Sequence, residues 1–411
     1  MLDKKWLINN REMYEESCRK RNIGSDFENF EQLYKNFQDL TAKFEEKRAQ
    51  QNKIQGACEE SRILKEEIAN LTEKRRQAQE ELENWMLNCP NILLEDVPAG
   101  KDEKENQIIF RSEIPAKIAE KKGIHHYDLV DNLIMKEEAI NISGSRFVIF
   151  KHALSKLKRA LSEFMLELNA SQGYEEYTVP YVVNQECLFG TGQLPKFAED
   201  AFCTTQNKWL ISTGEISLVN LFRDYVFEPG DLPKLCMTFS PCFRSEAGAA
   251  GRDTKGIIRL HQFHKVELVT ICLPEQAEEL HQKKLKAATT ILEKLGLAYQ
   301  ILLLCGGDSG FTASKQYDVE VWMPGLGRYL EIASCSQCSS FQAIRTNIRY
   351  KGETKTAFVH TLNGSALPIE RLVAAIIENF SNEDGSISIP EVLHNLIGGN
   401  TITKDGKIIS L

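Results

Sequence analysis

Between Pro241 and Val269 the sequence PCFRSEAGAAGRDTKGIIRLHQFHKVELV crowds Arg244, Arg252, Lys255 and Arg259 together, with Glu246 and Glu267 at its base. Guanidinium forks on a rigid element suit a polyphosphate, and fixed carboxylates suit an ammonium group or a metal. The same composition suits a solvated surface hairpin, and the segment by itself leaves both readings open. A second stretch with chemical potential is Cys335-Ser336-Gln337-Cys338, a spacing used in zinc and redox sites. A structural zinc needs four ligands and no second CxxC is present, so no structural zinc is expected and His261 and His264 are read as part of the hairpin. There is no GxGxxG or GxxxxGKS, which removes the Rossmann and P-loop routes to a nucleotide.

The elements that must position these residues follow from periodicity. Leu235, Met237 and Phe239 alternate before the charged segment, and Phe263, Val266 and Leu268 lie on apolar positions after it. This predicts two strands of an antiparallel hairpin joined by a polar, Gly-rich loop, Gly248 to Gly256. Ahead of the hairpin, Arg146 to Leu168 reads as a long amphipathic helix ended by Gly173, and Tyr177, Val179, Tyr181 and Val183 alternate as a strand interrupted by Pro180. Trp209 to Ser212 is a short strand leading into a helix from Ile216 to Tyr225, which Ser212 or Thr213 can cap. Beyond the hairpin, residues 275–295 read as a helix. Gln300 to Leu304, Val319 to Trp322, Tyr329 to Ile332 and His360 to Leu362 are strand-like, and a last helix runs from Pro368 to Asn379. These pieces predict an α+β domain, an antiparallel sheet flanked by helices.

The N-terminal quarter has a different rhythm. Residues 1 to about 23 read as one opening helix, followed by Gly24-Ser25-Asp26 as a cap. Phe30, Leu33, Phe37, Leu40 and Phe44 are spaced 3, 4, 3, 4, and the pattern resumes from Leu64 through Ile68, Leu71, Arg75, Ala78, Leu82 and Trp85. Two heptad seams broken near Gly56 predict an antiparallel helical arm over about 27–89. From Phe27 to Cys89 there are 10 Lys plus Arg against 13 Asp plus Glu, so charge does not identify what the arm grips. Cys89-Pro90-Asn91 ends the arm, and residues 91–110 read as a polar linker. The expected division is an N-terminal domain over 1–105 and a globular domain over 106–411.

The 411 residues carry a net charge of −8, so any nucleic-acid contact must come from local basic patches. The eleven scattered cysteines argue against a disulfide framework. Without a 20-residue apolar run or a signal-peptide core, a cytoplasmic location is expected.

Taken in order, FRSE at Phe243 to Glu246, HQFHKVE at His261 to Glu267, YLEIASCS at Tyr329 to Ser336 and GSALPIER at Gly364 to Arg371 resemble the motifs of class II aminoacyl-tRNA synthetases. With GTGQLPKF, GRDTKG, HTLNGS and the preceding arm, the chain is similar over nearly its whole length to bacterial-type seryl-tRNA synthetases. The resemblance implies a six- or seven-stranded antiparallel sheet and a homodimer formed through the region around Gly173 to Pro180. It implies activation of L-serine by ATP to seryl-adenylate, then transfer to tRNA(Ser), and also to tRNA(Sec), with the arm gripping the tRNA. Two rivals are a relative that loads an acceptor other than tRNA, and a non-catalytic tRNA-binding protein. Retention of the arm argues against the first; Arg244, Glu267, Glu331 and Arg371 argue against the second.

The resemblance also implies site roles. Arg244 bridges the serine carboxylate and the α-phosphate, flanked by Ser245. Glu246 meets the adenine side, and Phe263 and Arg371 stack on opposite faces of adenine. Glu331, Ile332, Ala333 and Ser334 form the ATP run, with Glu331 and Ser334 holding ATP-bound Mg²⁺. Thr213, Gly214, Glu215, Glu267 and Ser365 form the serine pocket. The loop tip, with Arg252 and Lys255, is expected to reach the tRNA acceptor end and to affect charging more than activation. The chain departs from the family at Gly214, where alanine is usual, at Ala333, where serine is usual, at Ser340 and Ile344 in the run after the metal site, where aspartate and arginine are usual, and at Leu372, where a small hydroxyl residue is usual. At Ala366 and Glu370 glycines are usual. A Cβ or a carboxylate there can crowd the ATP site or a close-packed backbone.

Overall fold

The structure is a computed structural model and describes residues 1–54, 59–121, 123, 125–247 and 256–410. The Gly56 break, Arg252, Lys255 and the loop tip from Gly248 to Lys255 lie outside the described residues.

The arm is formed by α1 (Phe27–Lys53) and α2 (Glu59–Asn88). The seam positions read from the heptads are the shielded ones, with Phe30, Phe44, Leu64, Ala78 and Leu82 buried. Arg75, the polar member of the seam, lays its guanidinium over the Phe44 ring at 4.3 Å, so a cation–π contact replaces an apolar knob. Lys47 on α1 and Glu67 on α2 pair at 2.8 Å. The opening segment is two helices, Lys4–Asn9 and Arg11–Lys20, because Asn10 leaves helical geometry at φ −131° and ψ 42°. Asp26 precedes α1 without a side-chain cap bond; its carboxylate instead accepts from the Trp85 indole at 2.8 Å.

The rest of the chain adds β1 (Gln107–Arg111), α3 (His152–Ala170), β2 (Glu175–Glu176), β3 (Lys234–Phe243), β4 (Gln262–Cys272), α4 (Ala277–Leu295), β5 (Tyr299–Leu303), β6 (Lys315–Met323), β7 (Arg328–Gln337), β8 (His360–Pro368) and α5 (Ile369–Phe380). One eight-stranded sheet runs in the order β1-β5-β6-β7-β8-β4-β3-β2. All neighbours are antiparallel except β2, which lies parallel to β3 at the edge. The sheet is thus one strand or two larger than expected. Residues 315, 317, 319, 321 and 323 of β6 are buried while those between them are partly open, the period-2 signature of a strand with two unlike faces. Helices α3, α4 and α5 share one hydrophobic core with the sheet.

Two sequence expectations shift. The long helix starts at His152 rather than Arg146, because Arg146 sits at φ 62° and Ile149–Phe150 pairs with Ile134–Met135 instead. Of the alternation from Tyr177 to Val183 only Val182–Val183 pairs as a strand, against Trp209–Leu210, while β2 lies just ahead of it at Glu175–Glu176, since Pro180 has no N–H to offer a ladder.

Residues 91–97 are not a free linker: Asn91, Leu93 and Val97 are buried. The N-terminal region is fastened to the rest of the chain by Arg21, which is 7% exposed. It donates to the carbonyls of Asn91 at 3.0 Å, Ser309 at 3.1 Å, Gly310 at 3.2 Å and Ala313 at 2.6 Å. Burial pushes its guanidinium down to about 10. Arg21→Met is expected to cost about 3 kcal/mol or more, because several buried acceptors lose their donor at once. Urea unfolding measures this; a change below about 1 kcal/mol would show that water replaces the arginine. Among the described residues no helix is long and apolar enough to cross a membrane.

Candidate active site

The site lies on the open face of β4, β7 and β8. Successive side chains of a strand point to opposite faces. On β4, Val266 and Leu268 enter the core while Phe263, Lys265 and Glu267 line a cavity of about 570 Å³. The same rule places Asn363 and Ser365 of β8 on that cavity, with Ser365 opposite Glu267 in the ladder. On β7, Glu331 and Ser334 are three residues apart and would ordinarily face opposite ways. A bulge resolves this: Val319 pairs with Ala333 but Glu320 pairs with Glu331, so one residue is extra and both oxygens reach the cavity.

The floor of the cavity holds two buried carboxylates. Glu267, 2% exposed, accepts from Lys265 and from the Thr213 hydroxyl. Lys265 also donates to Thr213 Oγ1 at 3.1 Å. Glu215, 8% exposed, accepts from Gln342 Nε2 at 2.6 Å and Asn363 Nδ2 at 2.9 Å. Burial, and then the charge of Glu267, raise the Glu215 carboxyl to about 7. Two carboxylates face one lysine, so the group has room for a second cation.

Above them, the Arg244 guanidinium lies over the Phe263 ring at 5.2 Å and makes a 3.4 Å bond to the Ser212 carbonyl. Glu246, at φ 52°, pairs with Arg259 at 3.0 Å. Arg371 donates to the carbonyls of Ile258 at 3.2 Å and Glu331 at 2.7 Å. The cavity therefore gathers Thr213, Glu215, Arg244, Glu246, Phe263, Glu267, Glu331, Ser334, Ser365 and Arg371 in one place.

Other expected site residues stand differently. Gly214 and Ser245 do not line the cavity. A Cβ on Gly214 would come within 2.5 Å of Thr238 Cγ2, so glycine here makes room for the threonine methyl. Ser245 bonds the 199–200 segment through its hydroxyl and its N–H. Ile332 and Ala333 border the cavity but belong to the hydrophobic core. Ala366 is fully buried away from the cavity, and the positive φ of that turn, 71°, falls on Leu367, so the Ala366 methyl carries no backbone strain. Cys335 and Cys338 are both buried, and burial raises both thiols to about 12.

Lys265, Asn363 and Gln342 were not singled out from the sequence. The first was accessible, because it lies at the middle of the 263, 265, 267 alternation. Gln342 was not, because it reaches Glu215 from the separate helix Phe341–Thr346.

Residues 1–93 match the family model of the seryl-tRNA synthetase N-terminal domain, and residues 201–380 match that of the tRNA synthetase class II core domain (G, H, P, S and T). The serine–tRNA ligase of Rhodospirillum centenum is 48% identical over 350 residues, covering 84% of this chain and 82% of that protein. That of Rickettsia bellii is 43% identical over 417 residues, covering 97% and 98%. Among solved structures, the seryl-tRNA synthetase of Pyrococcus horikoshii complexed with ATP superposes with a TM-score of 0.89 at 31% identity, over 98% of this chain and 99% of that one. A site able to hold an ammonium beside a polyphosphate, on this sheet and behind this arm, thus has relatives over its full length, and the chain belongs to the serine–tRNA ligase family of ATP-dependent class II aminoacyl-tRNA synthetases.

Proposed function

We propose that this cavity activates L-serine with ATP and that the seryl group then passes to the terminal ribose hydroxyl of tRNA(Ser), and of tRNA(Sec). The observation that carries the reading is the pairing, in one cavity, of two buried carboxylates with a guanidinium that lies over an aromatic ring and, among the described residues, makes one long bond to the Ser212 carbonyl. The serine ammonium would settle between Glu215 and Glu267, and its hydroxyl would meet Thr213 and Ser365. A pocket that hydrogen-bonds that hydroxyl rejects alanine strongly. Arg244 would hold the carboxylate against the α-phosphate, so that a carboxylate oxygen attacks phosphorus in line and pyrophosphate leaves. Adenine would lie between Phe263 and Arg371 with Glu246 at its edge. Glu331 and Ser334 present hard oxygens on one side of the cavity and would hold Mg²⁺, which when bound offsets phosphate charge. No covalent enzyme intermediate is needed, so the protein acts by positioning and by charge.

Residues 1–105 would form the tRNA-binding domain and 106–411 the catalytic domain. Dimerisation would use the sheet edge at β2 and the adjoining α3, the segment around Gly173 to Pro180. Serine-dependent ATP–pyrophosphate exchange followed by tRNA charging tests the whole; no exchange with any amino acid would overturn it.

The raised Glu215 carboxyl adds a pH signature. An ammonium prefers the ionised form, which is lost as pH falls through about 7. The KM for serine should therefore rise toward tenfold per pH unit below that point, with the KM for ATP nearly flat. In Glu215→Gln the slope should vanish. A serine KM that is level between about pH 6 and pH 8 would remove Glu215 from the ammonium pocket.

A further inference from the structure

The residue at 370 is where the family usually has glycine, and its carboxylate turns out to be the meeting point of three elements. Glu370 stands in the first turn of α5 and is 3% exposed. Its Oε2 accepts the backbone N–H of His264 on β4 at 2.8 Å. Its Oε1 lies 2.8 Å from Lys158 Nζ on α3 and 3.1 Å from His264 Nδ1. Lys158 Nζ also lies 2.8 Å from His264 Nδ1, which closes the triangle. Burial opposes the charge of Glu370, but the bonds from His264 and the charge of Lys158 outweigh it and hold the carboxyl below its usual range. The group is therefore a fixed anion rather than an acid that switches.

The chain neighbours of this triangle are the two residues assigned to the faces of adenine. His264 follows Phe263, and Glu370 precedes Arg371. The β4–β8 ladder ends at the pair Lys265 and Pro368. Beyond it β8 has become α5, and the Glu370 side chain supplies the acceptor for the N–H of His264. This fixes the peptide between Phe263 and His264 and, from the same helical turn, the root of Arg371. We propose that Glu370, braced by Lys158, is a positioning residue that sets the spacing of the Phe263–Arg371 adenine clamp and ties it to α3. The inference rests on the ATP-site reading above. Glu370 borders the cavity, as the departure at 370 led one to expect, and its oxygens are taken up by α3 and β4, so the carboxylate there acts as a tie.

The test uses the full-length protein with Glu370→Gln, Glu370→Gly, Lys158→Met and Lys158→Arg. Exchange kinetics should show the KM for ATP raised about tenfold in the two Glu370 variants and in Lys158→Met, as expected when a buried charged contact is lost. The KM for serine and kcat should stay within about twofold, and Lys158→Arg should restore most of the loss. Lys158 is partly exposed, so its variants keep the test open should those at Glu370 fail to fold. Calorimetric titration with ATP alone provides the same comparison independently of turnover. If the unaltered protein shows no serine-dependent exchange, the activation reading fails and the titration still decides this one. Unchanged ATP affinity in folded Glu370→Gln, or an equal rise in the serine KM, would overturn the proposal.

Discussion

Arg244→Ala is expected to lower serine-dependent ATP–pyrophosphate exchange by about a thousandfold or more, with the fold and the unfolding midpoint preserved. The arginines of this fold differ in what their donors meet. Arg21 spends its donors on four protein carbonyls. Arg345 donates to the carbonyls of Phe189, Leu194 and Leu87 and stacks on Phe341 at 4.6 Å. Removing either leaves buried acceptors unmet, so each supports the fold. Arg244, half-buried in the cavity wall, makes one long bond to Ser212 among the described residues and otherwise lies over Phe263. Its remaining donors face the cavity uncommitted, which is costly to maintain unless something anionic completes them. Alanine there removes little from the folded state and removes the fork that would hold carboxylate and phosphate together. Lysine would restore the charge without the planar fork, and should recover only a small part of the rate. Substantial exchange by Arg244→Ala would mean that the α-phosphate lies elsewhere.

How far the sequence could be read depended on whether a feature was local. The arm was legible because a heptad seam is a one-dimensional pattern, and the shielded positions of α1 and α2 follow it down to the odd Arg75. The hairpin was legible from alternation, and its strands pair as expected, Thr238 with Glu267 and Cys242 with Phe263. Strand ends were less legible, since β8 continues from Leu362 to Pro368 through residues whose pairing depends on distant partners. Long-range polar contacts were not legible at all. Nothing near Glu370 in the chain announces Lys158, more than two hundred residues away. Nothing near Glu215 announces Gln342. The bulge that lets Glu331 and Ser334 share a face is likewise a property of the β6–β7 pairing and not of either strand alone. Motif resemblance bridged part of that gap by carrying tertiary information, and it failed to cover the positions where this chain departs from its relatives.

Shortening the arm is expected to separate the two half-reactions, and the structure dictates where the cut must be made. The base of the arm belongs to the body of the protein: Phe27, Phe30, Leu82, Met86 and Cys89 form one core with Leu7, Tyr14, Phe311 and Phe341. Phe311 borders the cavity, and its loop is held from outside by Arg21 and by Asn91, whose N–H meets the Phe311 carbonyl at 2.9 Å. Arg345 connects the Leu87 carbonyl, near the end of α2, to the carbonyls of Phe189 and Leu194 beside the cavity. Removing all of 27–89 would therefore disturb the wall of the active site and confound any effect on tRNA. Among the described residues the outer part of the arm has no such ties: beyond Leu40 it is held by its own seam, by Arg75 on Phe44 and by Lys47 with Glu67. A helix of 30 residues extends about 45 Å, far more than a small core needs, so the outer part is free to serve a large partner. Replacing residues 42–76 by a short Gly-rich turn should leave exchange within about twofold and lower kcat/KM for tRNA charging by about a hundredfold. Undiminished charging would remove the arm from tRNA recognition. Equal loss in both assays would place the arm in the support of the active site, with the Phe311 loop as the first connection to examine.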